Sequence, residues 1–287
     1  MKCRRFPLEV LLAVCMLFAA VIPCQAAQTG LEGKTLSILG DSISTYEAVS
    51  NNVSYNYNLA NSKVYYTAGK LGVYQQDTWW QQTVDTLGMK LLVNNSWSGS
   101  CMFMEGAGTL GAYRERCVQL HNQRGQEPDI IAVYLGTNDQ DYFPETLGTY
   151  RDIDFETLIA QEGEDYVYAE PATCLEAYAI ALHKMQQRYP NAEIYCFNLL
   201  QRPGYTPYSL IEFNADLSRL ARHFGVYIVE LRGCGITTAN AEQYLDEWVH
   251  PNALGMDAIT DAFVSAILNS SRYVETDAQD ESGKVLP

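Results

Sequence analysis

The sequence predicts an α/β fold in which a mostly parallel, five-stranded sheet carries helices on both faces. Continuous apolar runs of strand length alternate along the chain with stretches whose apolar residues recur at helical spacing, as in successive βα units. The runs are apolar throughout rather than at every second residue, as strands buried on both faces must be. No internal repeat and no linker-like change of composition interrupts the series over 287 residues, so one domain is expected.

The first run, "TLSILG", begins at Thr35 and stops at Gly40, where Asp-Ser follows. "DTWWQQTVDTLG" reads as a helix with Asp77 as N-cap and Gly88 as stop. "KLLVNNS" is the second strand, a helical stretch is expected from Tyr113 to His121, and "PDIIAVYLGTND" holds the third strand. "EPATCLEAYAIALHKMQQRYP" is a helix with Pro171 suited to its first turn. "AEIYCFNLL", a helix over Ser209 to Phe224, "VYIVEL" and the helix in "PNALGMDAITDAFVSAILNS" complete the series. Residues 46–76, rich in Asn and Tyr, and residues 139–168, acidic and aromatic, break the alternation. Each follows a strand end, so both are expected as loop insertions over one rim of the sheet, where long loops shape substrate sites.

The two ends of the chain stand apart from this domain, which spans residues 27–270. "MKCRR" followed by "VLLAVCMLFAAVIP" and "CQAAQ" has the basic start, short apolar run and small-residue cleavage site of a secretory signal peptide over residues 1–26. Secretion, to the periplasm or beyond the cell, is the expectation. Lipidation of Cys24 is the alternative, against which Pro23 is a poor fit. Residues 271–287 are polar and read as a disordered tail.

A hydrophobic share of 47% and a charged share of 18% are those of a globular protein. The formal charge of −15 grows more negative once the leader, with Lys2, Arg4, Arg5 and Glu9, is removed. Such a surface repels nucleic acid and anionic membranes, so a neutral small-molecule partner is expected. No later apolar run is long enough for a membrane span. Outside the leader lie Cys101, Cys117, Cys174, Cys196 and Cys234, an odd set without C-x-x-C spacing; one or two disulfides can form, and the spacing does not pair them. No His, Cys, Asp or Glu cluster has metal-ligand spacing, so neither metal nor cofactor is called for.

Four short segments carry the chemistry: "GDSIS" after the first strand, "NNSWSGS" after the second, "LGTND" after the third and "DEWVHPNALG" before the last helix. Each alone reads as a turn. Together, in this order, they resemble the SGNH, or GDSL-type, hydrolase family over Lys34 to about Asn269. The resemblance implies a flavodoxin-like, three-layer α/β/α sandwich and a serine esterase. It makes Ser42 the nucleophile and His250 the base. It also implies an oxyanion hole built from the Ser42 N–H, the Gly99 N–H and the Asn138 side-chain amide. These residue types suit the task, since a serine hydroxyl needs a base within hydrogen-bond reach and the tetrahedral oxyanion needs donors already in place. Asp41 reads as a brace for the nucleophile loop.

The third triad member departs from the family's Asp-x-x-His pattern. Register puts Glu247 at that position, and Asp246 lies one residue earlier. Glu247 is the first choice, Asp246 serves if the turn carries an extra residue, and a backbone carbonyl orients the ring if neither engages.

For substrate, secretion, acidity and the aromatics Tyr46, Tyr65, Tyr66, Trp79, Trp80 and Trp97 near the rim suggest a neutral ester, an acetylated saccharide among the candidates, and the lack of an apolar lid segment favours a short-chain O-acyl group. Aromatic faces stack on sugar rings, although aromatic-rich stretches more often form core. The alternatives are a lipid-acting esterase or thioesterase of the same family and, from another class, a carbohydrate-binding module that has lost the chemistry. The oligomeric state is left open.

Overall fold

The structure, a computed structural model, describes residues 30–47, 49, 64–106, 108, 110–203 and 207–273. The expected leader, Cys24 and the tail from residue 274 lie outside these residues, as does most of the 48–63 part of the first insertion.

The chain enters through β1 (Thr35–Gly40) and a single 3-10 turn over Ser42–Ser44, and then forms α1 (Trp79–Leu87) and β2 (Lys90–Ser96). β3 (Ile130–Tyr134) leads into the short α2 (Thr137–Tyr142) and α3 (Phe155–Leu158). A hairpin follows, with β4 (Ile159–Glu162) and β5 (Asp165–Tyr168). The long helices α4 (Cys174–Arg188), α5 (Pro207–His223) and α6 (Ala253–Ser270) alternate with β6 (Glu193–Phe197), β7 (Tyr227–Val229) and the two-residue strands β8 (Leu245–Asp246) and β9 (His250–Pro251). The central sheet has the order β2-β1-β3-β6-β7, and every pairing in it is parallel.

Period-two alternation divides the buried strand residues between two cores. Leu36 and Ile38 of β1, Ile130, Ala132 and Tyr134 of β3, and Tyr195 and Phe197 of β6 pack with Trp79, Trp80, Met256 and Phe263 of α1 and α6. Leu39, Ile131, Val133, Ile194 and Cys196 face the other way, onto Tyr178 and Leu182 of α4 and Phe213 and Leu217 of α5. These are the three layers expected, with a five-stranded sheet that is parallel throughout.

Several local expectations are corrected. Thr78, not Asp77, caps α1, accepting from the Gln81 N–H at 3.4 Å, while Asp77 closes the preceding turn through the Tyr74 N–H at 2.8 Å. α4 begins at Cys174 rather than near Pro171, because Thr173 and Glu176 form a reciprocal capping box there. Residues 113–121 form no helix beyond a 3-10 turn at Arg116–Val118. The backbone donors of Ala112 and Tyr113 are already committed to the carbonyls of Cys101 and Met102. The 139–168 segment is α2, α3 and a hairpin rather than a loop. The hairpin lies along α4, where the Tyr168 hydroxyl meets His183 Nδ1 at 3.0 Å, rather than over the rim. The five cysteines are free thiols, and only Cys234 is not fully buried. Ser271 to Tyr273 belong to the body rather than the tail: Ser271 is buried and the Arg272 N–H donates to Glu193 at 2.8 Å.

Register brings the ends of three strands together, since Gly40 lies beside Ser96 on one side and Tyr134 on the other. A Cβ on Gly40 would sit 2.7 Å from the hydroxyls of both Ser44 and Ser96. Gly40→Ala is therefore expected to cost about 1–3 kcal/mol by overpacking. This appears as a lower urea midpoint at unchanged slope; an unchanged midpoint contradicts the close packing of this strand tip.

Candidate active site

The turn after β1 is built to hold Ser42 still. Asp41 caps it, accepting from the Ile43 N–H at 2.9 Å, and the Ser42 carbonyl accepts from the Thr45 hydroxyl at 2.8 Å. The carbonyl of Ser44 accepts from Trp80 Nε1 at 3.0 Å and from Asn94 Nδ2 at 2.9 Å. Burial pushes the Asp41 carboxyl up to about 7, although the Ile43 N–H and the charge of Arg202 pull it down. Its second oxygen has no hydrogen-bond partner among the described residues. Such a group braces the turn and is poorly suited to act as a permanent anion.

His250, on β9, sets its Nε2 3.0 Å from Ser42 Oγ, in position to accept the hydroxyl proton. The neighbouring carbonyl of Pro251 accepts from the buried Tyr66 hydroxyl at 2.7 Å. Neither sequence-predicted carboxylate meets the imidazole. His250 Nδ1 is buried and has no hydrogen-bond partner among the described residues, so a backbone carbonyl does not orient it either. The reason lies in the turn: Val249 N–H closes on the Asp246 carbonyl at 2.9 Å, with Glu247 at φ 48° and Trp248 at φ 63°. That left-handed pair is costly for side chains of this size. It sends Glu247 to the exposed tip and puts Asp246 opposite His250 in the β8–β9 ladder, where its charge acts on the Tyr65 phenol rather than on the imidazole.

The other predicted residues lie on the loops leaving β2 and β3. Gly99 adopts φ 80°, a conformation open to glycine and strained for other residues. Asn138 opens α2 almost wholly buried, and one amide hydrogen goes to the Ser100 carbonyl at 2.8 Å, leaving the second for a ligand. Asp139, which sequence reasoning missed, accepts the N–H groups of Met102 at 2.8 Å and Phe103 at 2.9 Å. It thereby couples the glycine-bearing loop to the residue beside Asn138. Arg116, also missed, is buried and donates to the carbonyls of Gly40 at 2.8 Å and Asn95 at 2.7 Å. Asp139 is the last residue of "LGTND" itself and Arg116 lies in no motif, and an acidic or basic residue alone does not separate a buried brace from a solvated charge.

The aromatic rim is corrected. Tyr46, Tyr66, Trp79, Trp80 and Trp97 are buried, and only Tyr65 of the six is partly open. Exposed aromatics close to site residues in sequence are Tyr142, one helical turn beyond Asn138, and Trp248, two residues before His250. Among the described residues no group of His, Cys, Asp and Glu is placed to hold a metal ion, and no helix is long and apolar enough to cross a membrane.

Burial first, then the positive charges of Lys70 and Arg202, pull the His250 imidazole down from 6.5 to about 3. A base works when neutral, and a lowered pKa extends the neutral form to more acidic solution. Ester turnover (kcat/KM) is therefore expected to stay level from pH 8 to about 5, with its acid limb below that; a limb centred near the ordinary histidine value contradicts this environment.

The sequence model of the GDSL-like lipase/acylhydrolase family matches residues 34–267. A solved structure described as a GDSL-like lipase from Bacteroides ovatus is 22% identical, with a TM-score of 0.58 over 83% of this chain and all of that one. A family two carbohydrate esterase from Clostridium thermocellum, in complex with cellohexaose, is 16% identical, with a TM-score of 0.54 over 84% of this chain and 65% of that one. A carbohydrate esterase family 3 protein from Talaromyces cellulolyticus is 14% identical, with a TM-score of 0.52 over 82% of this chain and 97% of that one. No curated protein matches the chain significantly.

Proposed function

The chain belongs to the GDSL-like lipase/acylhydrolase family and is an ester hydrolase, and on that footing we propose that it removes short acyl groups, acetyl above all, from a neutral, saccharide-like alcohol. The observation that carries the reading is the 3.0 Å approach of His250 Nε2 to Ser42 Oγ at the carboxyl edge of a parallel sheet. Ligands of open α/β folds bind at that edge.

In this reading Ser42 Oγ attacks the acyl carbon while its proton passes to His250 Nε2. The carbonyl oxygen becomes an oxyanion that takes hydrogen bonds from the N–H groups of Ser42 and Gly99 and from the free amide hydrogen of Asn138. Collapse expels the alcohol, which leaves with the proton from His250, and an ester on Ser42 remains. Water then attacks this ester, giving its proton to His250, and the acid is released as Ser42 recovers its own.

The substrate class rests on three supports. The formal charge of −15 disfavours anionic substrates. Tyr142 and Trp248 offer exposed aromatic faces close to Asn138 and His250 in sequence. Two of the similar folds belong to proteins described as carbohydrate esterases. The large apolar side chains exposed among the described residues are scattered over different elements, which favours a short acyl group over a lipid chain. Residues 1–26 are read as the export signal of this enzyme, with lipidation of Cys24 as the anchored alternative.

The binding-module reading has one point in its favour, the imidazole without a carboxylate. Turnover of p-nitrophenyl esters from acetate to laurate decides. Acetate is expected to be the best substrate, Ser42→Ala to fall to background, and Asn138→Ala to lose roughly 100- to 1,000-fold in kcat. Wild type without turnover at any chain length overturns the esterase reading, and preference for laurate overturns the short-acyl one.

A further inference from the structure

The imidazole of His250 has to be held by something other than a carboxylate. To accept from Ser42 at Nε2 it must carry its proton on Nδ1, and that edge finds no acceptor among the described residues. In the triad arrangement an acceptor there fixes both tautomer and ring angle. Here the restraint comes from the ring face. Tyr65 lies flat on His250, with centroids 3.4 Å apart and planes 8° from parallel. Lys70 Nζ sits 3.3 Å from the same tyrosine centroid. Two groups that close cannot share one face of a ring, so Tyr65 is sandwiched between the imidazole and the ammonium. Electron density drawn toward Lys70 leaves the stacked face better suited to a neutral imidazole, and the ammonium itself opposes a second positive charge nearby.

The same residue is tied to the nucleophile. The Tyr65 N–H donates to Thr45 Oγ1 at 2.9 Å, and the Thr45 hydroxyl donates to the Ser42 carbonyl at 2.8 Å. Burial first, then the charge of Asp246, pushes the Tyr65 phenol up, and Asp246 pairs with His250 across the β8–β9 ladder. Tyr66, the next residue, stands edge-on to Tyr65 and holds the Pro251 carbonyl. Contacts thus run in a closed circuit from Ser42 through Thr45, Tyr65 and His250 back to Ser42. One strap fixes both members of the pair whose separation the chemistry requires.

We propose that Tyr65 is the positioning residue of this site: its ring face holds the His250 imidazole against Ser42, replacing the hydrogen bond of a third triad carboxylate. The inference rests on the reading of Ser42 and His250 as nucleophile and base. In this role Asp246 stands at one remove from the imidazole, beyond Tyr65, and Glu247 has no part in orienting it.

The test compares the full-length wild type with Tyr65→Phe, Tyr65→Leu, Asp246→Asn and Glu247→Gln. Two rates are read: p-nitrophenyl acetate turnover, with kcat and KM separated, and phosphonylation of Ser42 by a fluorophosphonate, which needs no substrate recognition. Leucine fills the volume without an aromatic face, so it is expected to lower kcat and the phosphonylation rate at least about tenfold, a part of the ~100- to 10,000-fold general-base contribution. KM should move less than about threefold, since the imidazole acts in the transition state rather than in binding. Phenylalanine keeps the face and is expected to restore most of both rates, and Asp246→Asn to resemble it. A purely structural role would instead lower the melting temperature of the leucine variant and leave the two rates of the folded fraction alone.

Three results overturn the inference while leaving the esterase reading intact: leucine rates within about twofold of wild type, phenylalanine as damaged as leucine, or Glu247→Gln or Asp246→Asn losing more kcat than leucine. A wild-type protein whose Ser42 takes no label overturns the esterase reading, and this inference falls with it.

Discussion

The carbonyl oxygen of Gly40 is the point on which the site hangs. It accepts from the Trp97 N–H at 3.2 Å, the Ser100 hydroxyl at 3.3 Å and the buried guanidinium of Arg116 at 2.8 Å. A strand that ends at the edge of a sheet exposes its last carbonyl, and a buried one needs partners. Here those partners belong to the loop after β2 and to the turn beyond it, so satisfying one oxygen locks two further segments to the tip of β1. Ser42 follows two residues later and Gly99 stands between two of the bound residues. Asn138 joins the same network through the Ser100 carbonyl, and Asp139 clamps the backbone amides of Met102 and Phe103. In the proposed reaction the oxyanion donors are therefore fixed before any ester arrives, which is the condition for electrostatic stabilisation without reorganisation.

His250 comes from the opposite end of the chain and is set by different means. Its ladder partner, Asp246, is the nearest carboxylate in sequence after Glu247, yet the left-handed pair at Glu247 and Trp248 turns both acids away from the ring. The imidazole is left with one edge on Ser42, one face on Tyr65 and two cationic groups, Lys70 and Arg202, in its surroundings. This environment keeps the base neutral and makes its protonated form costly. The stacking of Tyr65 supplies orientation but no counter-charge, so the two duties a triad carboxylate combines are separated here.

The sheet, its parallel sense and the loops bearing Ser42, Gly99 and Asn138 were legible because each depends on local sequence: an apolar run, a glycine and a polar residue at its tip. The central helices were legible for the same reason. What escaped were features decided across the fold. The stretch around Arg116 carries a helical pattern, yet its arginine is drawn under β1 and its neighbours pair with Cys101 and Met102. Trp79 and Trp80 looked available to a sugar but pack beneath the sheet. Tyr65 stood in a weakly periodic insertion, and nothing nearby in sequence signals that it covers a histidine near the other end of the chain. The Asp-x-x-His register pointed to Glu247 because spacing carries no information on the handedness of the turn it spans.

The central claim, that the ends of β1, β2 and β3 converge with His250 into one serine esterase site, is tested most directly by a crystal structure of the protein after reaction with a methylphosphonate. The account predicts phosphorus bonded to Ser42 Oγ, with one phosphoryl oxygen about 2.7–3.1 Å from the Ser42 N–H, the Gly99 N–H and Asn138 Nδ2. An adduct on another residue, or on Ser42 with that oxygen turned to solvent and away from all three donors, would contradict it.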